Sequence, residues 1–227
     1  MQNWENEELE DFPEEGGSFL KLTPVRVVFA LLLILSLVYI SGIREYFFYQ
    51  RTPTYTQFES PEAVLDAEDI SVPVSVFVLR EGRFKSERND KEIEHILING
   101  FRIFEKASIS FDKVYLSELH IESADFLDNH RSFLERVERY DRDKINIFLT
   151  GHLEGLNGVA FTGLNSLAVA DYVASRDYRI LGHEIGHLLG LGHRDNPLSL
   201  MHQGSFGTKL SLEEILTIRE SAKKLEK

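Results

Sequence analysis

The sequence predicts an α+β domain preceded by one membrane-spanning helix. Three observations carry that expectation. Strand-like alternation and helical spacing of apolar residues interleave from Val72 to the C-terminus. An uncharged apolar run, Val27–Ile43, stands ahead of them. The 227 residues show no internal repeat and are 43% hydrophobic and 27% charged, which suits one well-filled core with extra segments.

Residues 1–21 are acidic and hold Pro13 and the Gly16–Gly17 pair, so they read as a disordered tail. Residues 22–43 are the predicted transmembrane helix. Val27–Ile43 gives seventeen uncharged residues, Leu22–Val25 extends them, and Arg26 can snorkel to the interface. The run exceeds a signal peptide's apolar region, and no small-x-small cleavage pattern follows it, so an uncleaved anchor is expected. Lys21 and Arg26 on one side balance Arg44 and Arg51 on the other. Because the first pair directly precedes the run, the N-terminus is expected inside and the domain on the extracytoplasmic side of a single-pass membrane protein. Residues 44–70, with Pro53 and Pro61, read as a linker or stalk, and residues 71–227 as the domain.

Within the domain, Val72–Leu79 alternates apolar and polar residues as a strand does. Asn89–Ala107 shows helical spacing through Ile93, Ile96, Leu97, Phe101 and Phe104, with Asn89 or Asp90 as N-cap. Val114–Ile121 predicts a second strand, Ala124–Tyr140 a second helix and Ile145–Leu149 a third strand. Gly151–Gly163 is glycine-rich around an edge-strand candidate, Val159–Phe161, and Leu167–Val173 is a further strand candidate. A last helix starts at Ser211, where Ser211 and Glu214 make a capping box, and runs to the end.

Charge and composition exclude several classes. The formal net charge is -12, but seven of the acids lie in the first fifteen residues with no Lys or Arg among them, leaving -5 for the rest. No basic cluster of the kind nucleic acid requires is present, so that partner is not expected. There is no cysteine, which excludes disulfides, thiolate zinc sites and cysteine nucleophiles.

Residues 183–193 read HEIGHLLGLGH, that is, H-E-x-x-H-x-x-G-x-x-H. His183 and His187 at i and i+4 share one helix face and can both reach one Zn²⁺. Glu184 points beside the metal, which suits a general base for metal-activated water. Gly190 supplies the helix-breaking turn, and the chain then delivers His193 as third ligand. Three protein ligands leave a position open, the mark of a catalytic site for one Zn²⁺. Asp195 and His202 read equally as turn or surface residues and as supports of the site. His95, His120, His130 and His152 have no ligand spacing and read as surface or partly buried structural residues. The acids between Asp125 and Asp143 form no calcium-loop pattern.

Over about residues 178–204 the sequence resembles the metzincin clan of zinc endopeptidases. The resemblance implies a methionine-bearing turn at Leu200-Met201-His202, with Met201 as an apolar floor that does not bind zinc. It also implies a mixed twisted sheet with an edge strand over the cleft, a long backing helix, the active-site helix, the Met-turn and a C-terminal helix. Gly158, Val159, Ala160 and Phe161 then take the place of the strand that pairs with extended substrate. The implied activity is hydrolysis of internal bonds in a protein or peptide substrate. Gln203 stands where astacin-like and serralysin-like members carry a tyrosine. The extra cysteine ligands of archaemetzincins and the propeptide cysteine of matrixins are absent. In style the chain is similar to small matrixin-like or reprolysin-like members. Two rival functions remain: a catalytically silent zinc-binding or adaptor domain at the membrane, and a zinc hydrolase acting on non-peptide bonds.

Overall fold

The computed structural model describes residues 68–174, 176–204 and 206–226. Their elements run β1 (Ile70–Leu79), α1 (Asp90–Arg102), β2 (Ile109–Leu119), α2 (His130–Glu135), β3 (Ile145–Thr150), β4 (Gly158–Phe161), β5 (Ser166–Ala170), α3 (Asp177–Leu188) and α4 (Leu212–Ala222). The acidic tail, the predicted membrane helix and most of the predicted stalk lie outside the described residues. Among the described residues no helix is long and apolar enough to cross a membrane. β1 begins at Ile70, at the end of the predicted stalk.

The strands form one mixed sheet in the order β2-β1-β3-β5-β4. β1 pairs in parallel with β2 and β3, and β3 with β5, while β4 runs antiparallel to β5 and forms an edge. The central strands are covered on both faces, which explains their near-continuous apolar runs. Side chains alternate between two cores as the pleat requires. Val74, Val76 and Val78 of β1, Ile145 and Ile147 of β3, and Leu167 and Val169 of β5 join the core shared with α1, α3 and α4. Phe77 and Phe148 point the other way, into an aromatic core with Phe84, Phe126 and Phe133.

Several elements differ from their sequence-based bounds, each for a local reason. β2 starts five residues before Val114 because the alternation reverses inside it. Opposite Pro73 and Ser75 of β1 the partner register jumps from Asp112 to Tyr115, a bulge that inserts one residue into β2. Ile109 and Phe111 therefore face one core and Tyr115 and Leu119 the other. α1 has the full capping box, with Asn89 and Glu92, but ends at Arg102 rather than Ala107. A 3-10 turn at Glu105–Ala107 and Ser108 at φ 49° then redirect the chain into β2. Phe104 stays fully buried across this break, so the apolar spacing does not register it. The predicted helix Ala124–Tyr140 contracts to the six residues of α2. Turns closed by Phe126 N–H to Ser123 O and Val137 N–H to Leu134 O mimic helical spacing on either side. β5 stops at Ala170, because Asp171 turns to accept from Ser86 Oγ at 2.8 Å and Glu87 N–H at 2.6 Å. The Ser211–Glu214 capping box starts α4, which ends at Ala222.

Candidate metal centre

α3 carries the first half of the motif. His183 and His187 lie one turn apart, and their Nε2 atoms are 3.1 Å from each other. The helix stops after Leu188 in a Schellman turn: Gly190 N–H donates to His187 O at 3.1 Å and Leu191 N–H to Gly186 O at 2.9 Å. Gly190 adopts φ +92°, a backbone conformation that L side chains rarely adopt. The reversed chain returns His193, whose Nε2 lies 3.2 Å from that of His187.

The far ring nitrogens explain why the near ones are free. His183 Nδ1–H donates to Leu200 O and His187 Nδ1–H to Leu191 O, both at 2.8 Å. His193 Nδ1 lies 3.1 Å from the side-chain amide of Gln203, whose oxygen and nitrogen exchange by a half-turn. A ring that donates from Nδ1 keeps a bare lone pair on Nε2. Lone pairs about 3 Å apart repel unless a cation sits between them. Ligands about 2.0–2.1 Å from zinc in tetrahedral array are about 3.3 Å apart, close to the spacing seen here. The residues fit the ion, and His183, His187 and His193 form a cluster compatible with a zinc site.

Burial sets the charge of the site. It holds His183 down at about 4 against the opposing Leu200 carbonyl, with His187, Arg179 and His193 adding to the depression. His187 is likewise lowered, first by burial, with the Leu191 carbonyl opposing and His193 adding. Both imidazoles are therefore neutral and ligand-competent at neutral pH. Glu184 is 7% exposed. Burial pushes its carboxyl up to about 7, with Arg179 pulling the other way. A carboxyl there can both take and give a proton near neutrality.

A cleft of about 570 Å³ opens above these groups. Gly158, Val159 and Ala160 of β4 form one side, facing His183, Glu184 and Gln203. Gly158 and Glu184 are in close approach: a Cβ at Gly158 would stand 2.9 Å from Glu184 Cγ and 3.0 Å from its Oε1. Phe161, the last residue of the expected substrate strand, turns its ring away and stacks on His130 at 3.6 Å between centroids. Met201 is fully buried, with its sulfur against Gly186. His202 contributes its carbonyl rather than its ring, accepting from Arg179. Asp195 is exposed. His130 is buried among aromatic rings rather than at the surface.

Sequence reasoning missed Arg179. It is 3% exposed, lines the cleft and donates to the carbonyls of Leu200, His202 and Gly207. Its place four residues before His183, on the ligand face of the helix, was the available signal. Gly158 was read only as a substrate contact, not as the space that Glu184 needs.

No family model matches the chain, and no curated protein matches it in sequence. The fold is similar to metalloproteinase-II from Bacteroides fragilis, with a TM-score of 0.51 at 16% identity over 68% of this chain and 55% of that one. This chain thus spans about half the length of that structure. Archaemetzincin from Methanopyrus kandleri aligns with a TM-score of 0.48 at 15% identity, over 70% of this chain and 99% of that one. A zinc-dependent peptidase from Methanocorpusculum labreanum aligns with 0.44 at 15%, over 64% and 99%. What the first likeness establishes is the fold, a mixed sheet with helices similar to that of the Bacteroides fragilis metalloproteinase.

Proposed function

We propose that the chain is a zinc-dependent endopeptidase, held at the membrane by residues 22–43. The observation that carries the reading is the convergence of three Nε2 atoms beside a buried carboxyl, under the strand that forms the edge of the sheet among the described residues. Zinc, when bound, acidifies water and polarises a carbonyl. Among the described residues β4 has one neighbouring strand, so alternate N–H and C=O groups point away from β5 and can pair with an extended peptide. Glu184 accepts the proton of the attacking water on its carboxylate and returns it to the departing amine nitrogen. The intact Glu184 and the three-ligand set count against a silent zinc-binding or adaptor domain. Gln203 in the tyrosine position supports a matrixin-like or reprolysin-like style.

A quenched-peptide assay on the full chain, with and without chelator, tests the activity. Glu184→Ala should keep stoichiometric zinc and lose turnover by about 10²–10⁴-fold. A fully active variant would remove Glu184 from the proton transfers. Chelator-resistant cleavage, or no cleavage of any peptide by the zinc-loaded protein, would remove the peptidase reading. Lys21 and Arg26 ahead of the apolar run support an extracytoplasmic domain, which protease protection in intact cells checks.

A further inference from the structure

We infer that Arg179 is a positioning residue, fastening the Leu200–Gly207 segment to the active-site helix and, through it, holding His183 and His193 but not His187. The geometry is specific. Arg179 Nη2 donates to Leu200 O at 2.9 Å, and this same carbonyl accepts His183 Nδ1–H at 2.8 Å. Nη2 also donates to His202 O, and Nε donates to Gly207 O at 3.1 Å. Between Leu200 and Gly207, the outermost of these anchors, the segment reaches the third ligand twice. Arg194 N–H, next to His193, donates to Met201 O at 3.1 Å. Gln203 places its amide 3.1 Å from His193 Nδ1.

His187 is independent of this assembly. Its Nδ1 partner, Leu191 O, belongs to the turn that ends its own helix. Further bonds of the segment run elsewhere: Leu200 N–H donates to Lys209 O, Met201 N–H to Ser199 Oγ and His202 N–H to Ser199 O, and Ser199 Oγ in turn donates to Glu214 of α4. Its hydrogen bonds to α3 include those from Arg179 and His183. A planar guanidinium suits this place because its donors leave separate nitrogens along fixed directions, here Nη2 towards Leu200 and His202 and Nε towards Gly207, whereas an ammonium offers its three donors from a single nitrogen. Placing that cation 3% exposed costs desolvation, which the three carbonyls and the nearby Glu184 offset.

The inference rests on the zinc reading above, and the test separates the two. The full chain, its Arg179→Gln variant and its Arg179→Lys variant are compared by zinc affinity, using competition with a chromophoric chelator. The ring ¹⁵N shifts of the three histidines are read in the metal-free proteins. Arg179→Gln is expected to weaken zinc binding by about 10–100-fold. It should move the rings of His183 and His193 out of their Nδ1–H form and leave His187 in place. Arg179→Lys should recover only part of the loss. A folded Arg179→Gln variant with zinc affinity within about twofold of the parent would overturn the inference. So would equal disturbance of all three rings, the mark of a merely structural arginine. If Arg179→Gln does not fold, Arg179→Lys decides alone: selective movement of His183 and His193 supports the inference, and parental shifts and affinity overturn it. A parent chain that takes up no zinc ends the peptidase proposal, while its metal-free ring shifts still decide the role of Arg179.

Discussion

The floor and the wall of the cleft are built on opposite terms. The floor is α3 with the Leu200–Gln203 segment. Leu200 and Met201 are fully buried, and the far ring nitrogens of His183 and His187 meet backbone carbonyls while that of His193 faces Gln203. The wall is β4, four residues that are all half-buried, paired on one side only. Groups that must hold an ion within a few tenths of an ångström are fixed in advance. Groups that must accept changing side chains keep main-chain donors and acceptors unspent. The metal geometry of such a site is therefore sensitive to single side chains, and under the proposed function its substrate grip is spread over backbone.

The largest effect that breaks this division is removal of the third ligand. His193 is exposed, so His193→Ala should leave the metal-free protein within about 0.5 kcal/mol of the parent in stability. It should nevertheless lose stoichiometric zinc, and with it turnover by about 10³-fold or more. Zinc counting by atomic absorption after gel filtration reads this directly. One zinc per chain in the variant would mean that the helix pair suffices and that the returning turn is no part of the floor.

A smaller effect is expected where wall and floor touch. A methyl at Gly158 would stand 2.7 Å from Ile180 Cγ2 as well as against Glu184. Both neighbours must give way, and the Glu184 carboxyl moves from its place over the floor. Gly158→Ala should keep zinc and reduce kcat by on the order of 10–100-fold, with little change in KM. An unchanged kcat would show that Glu184 has room to spare and that the wall does not set its position.

The floor was more legible in the sequence than its supports. His183, Glu184 and His187 are read by helical spacing alone, and Gly190 by the need to end the helix, because both are local properties of the chain. The Ser211 cap is legible for the same reason, and the cap of α1 to within Asn89 or Asp90, of which the structure uses Asn89. The partners of the ligand rings were not. Leu200 and Gln203 reach His183 and His193 from 17 and 10 residues away, and the former does so through a carbonyl that carries no side-chain signature. β2 was misjudged at its start because a bulge opposite Pro73 reverses the alternation on which strand reading depends. α2 was overextended because flanking turns repeat the helix's own three-residue spacing. Local periodicity sees which residues face a core, and not whether the backbone between them is helical.

The smallest effect on the site itself concerns what stands behind the wall. His130 lies 5% exposed, its ring parallel to Phe161 within 11°. Its Nδ1 lies 2.9 Å from Phe126 O and its Nε2 2.8 Å from Ser166 Oγ. With Nδ1–H donating to the carbonyl, Nε2 accepts from the hydroxyl, and the ring is held neutral. Burial keeps its pKa at about 4 against the opposing Phe126 carbonyl, compared with 6.5 when unfolded. Between pH 6.5 and 4 the unfolded chain therefore binds a proton that the folded one refuses, and stability falls as pH falls through that window. The full loss is about 3 kcal/mol, reached near pH 4 and absent above pH 7. Urea unfolding of the parent and of His130→Gln at pH 7.5 and pH 4 isolates this contribution, because every other titrating group is common to both. The parent should lose about 3 kcal/mol more than the variant over that range, while peptide turnover at pH 7.5 stays within about threefold. Equal losses in the two proteins would mean that His130 is solvated or protonated in the native state, and that the aromatic core behind β4 is looser than the helix core behind the metal.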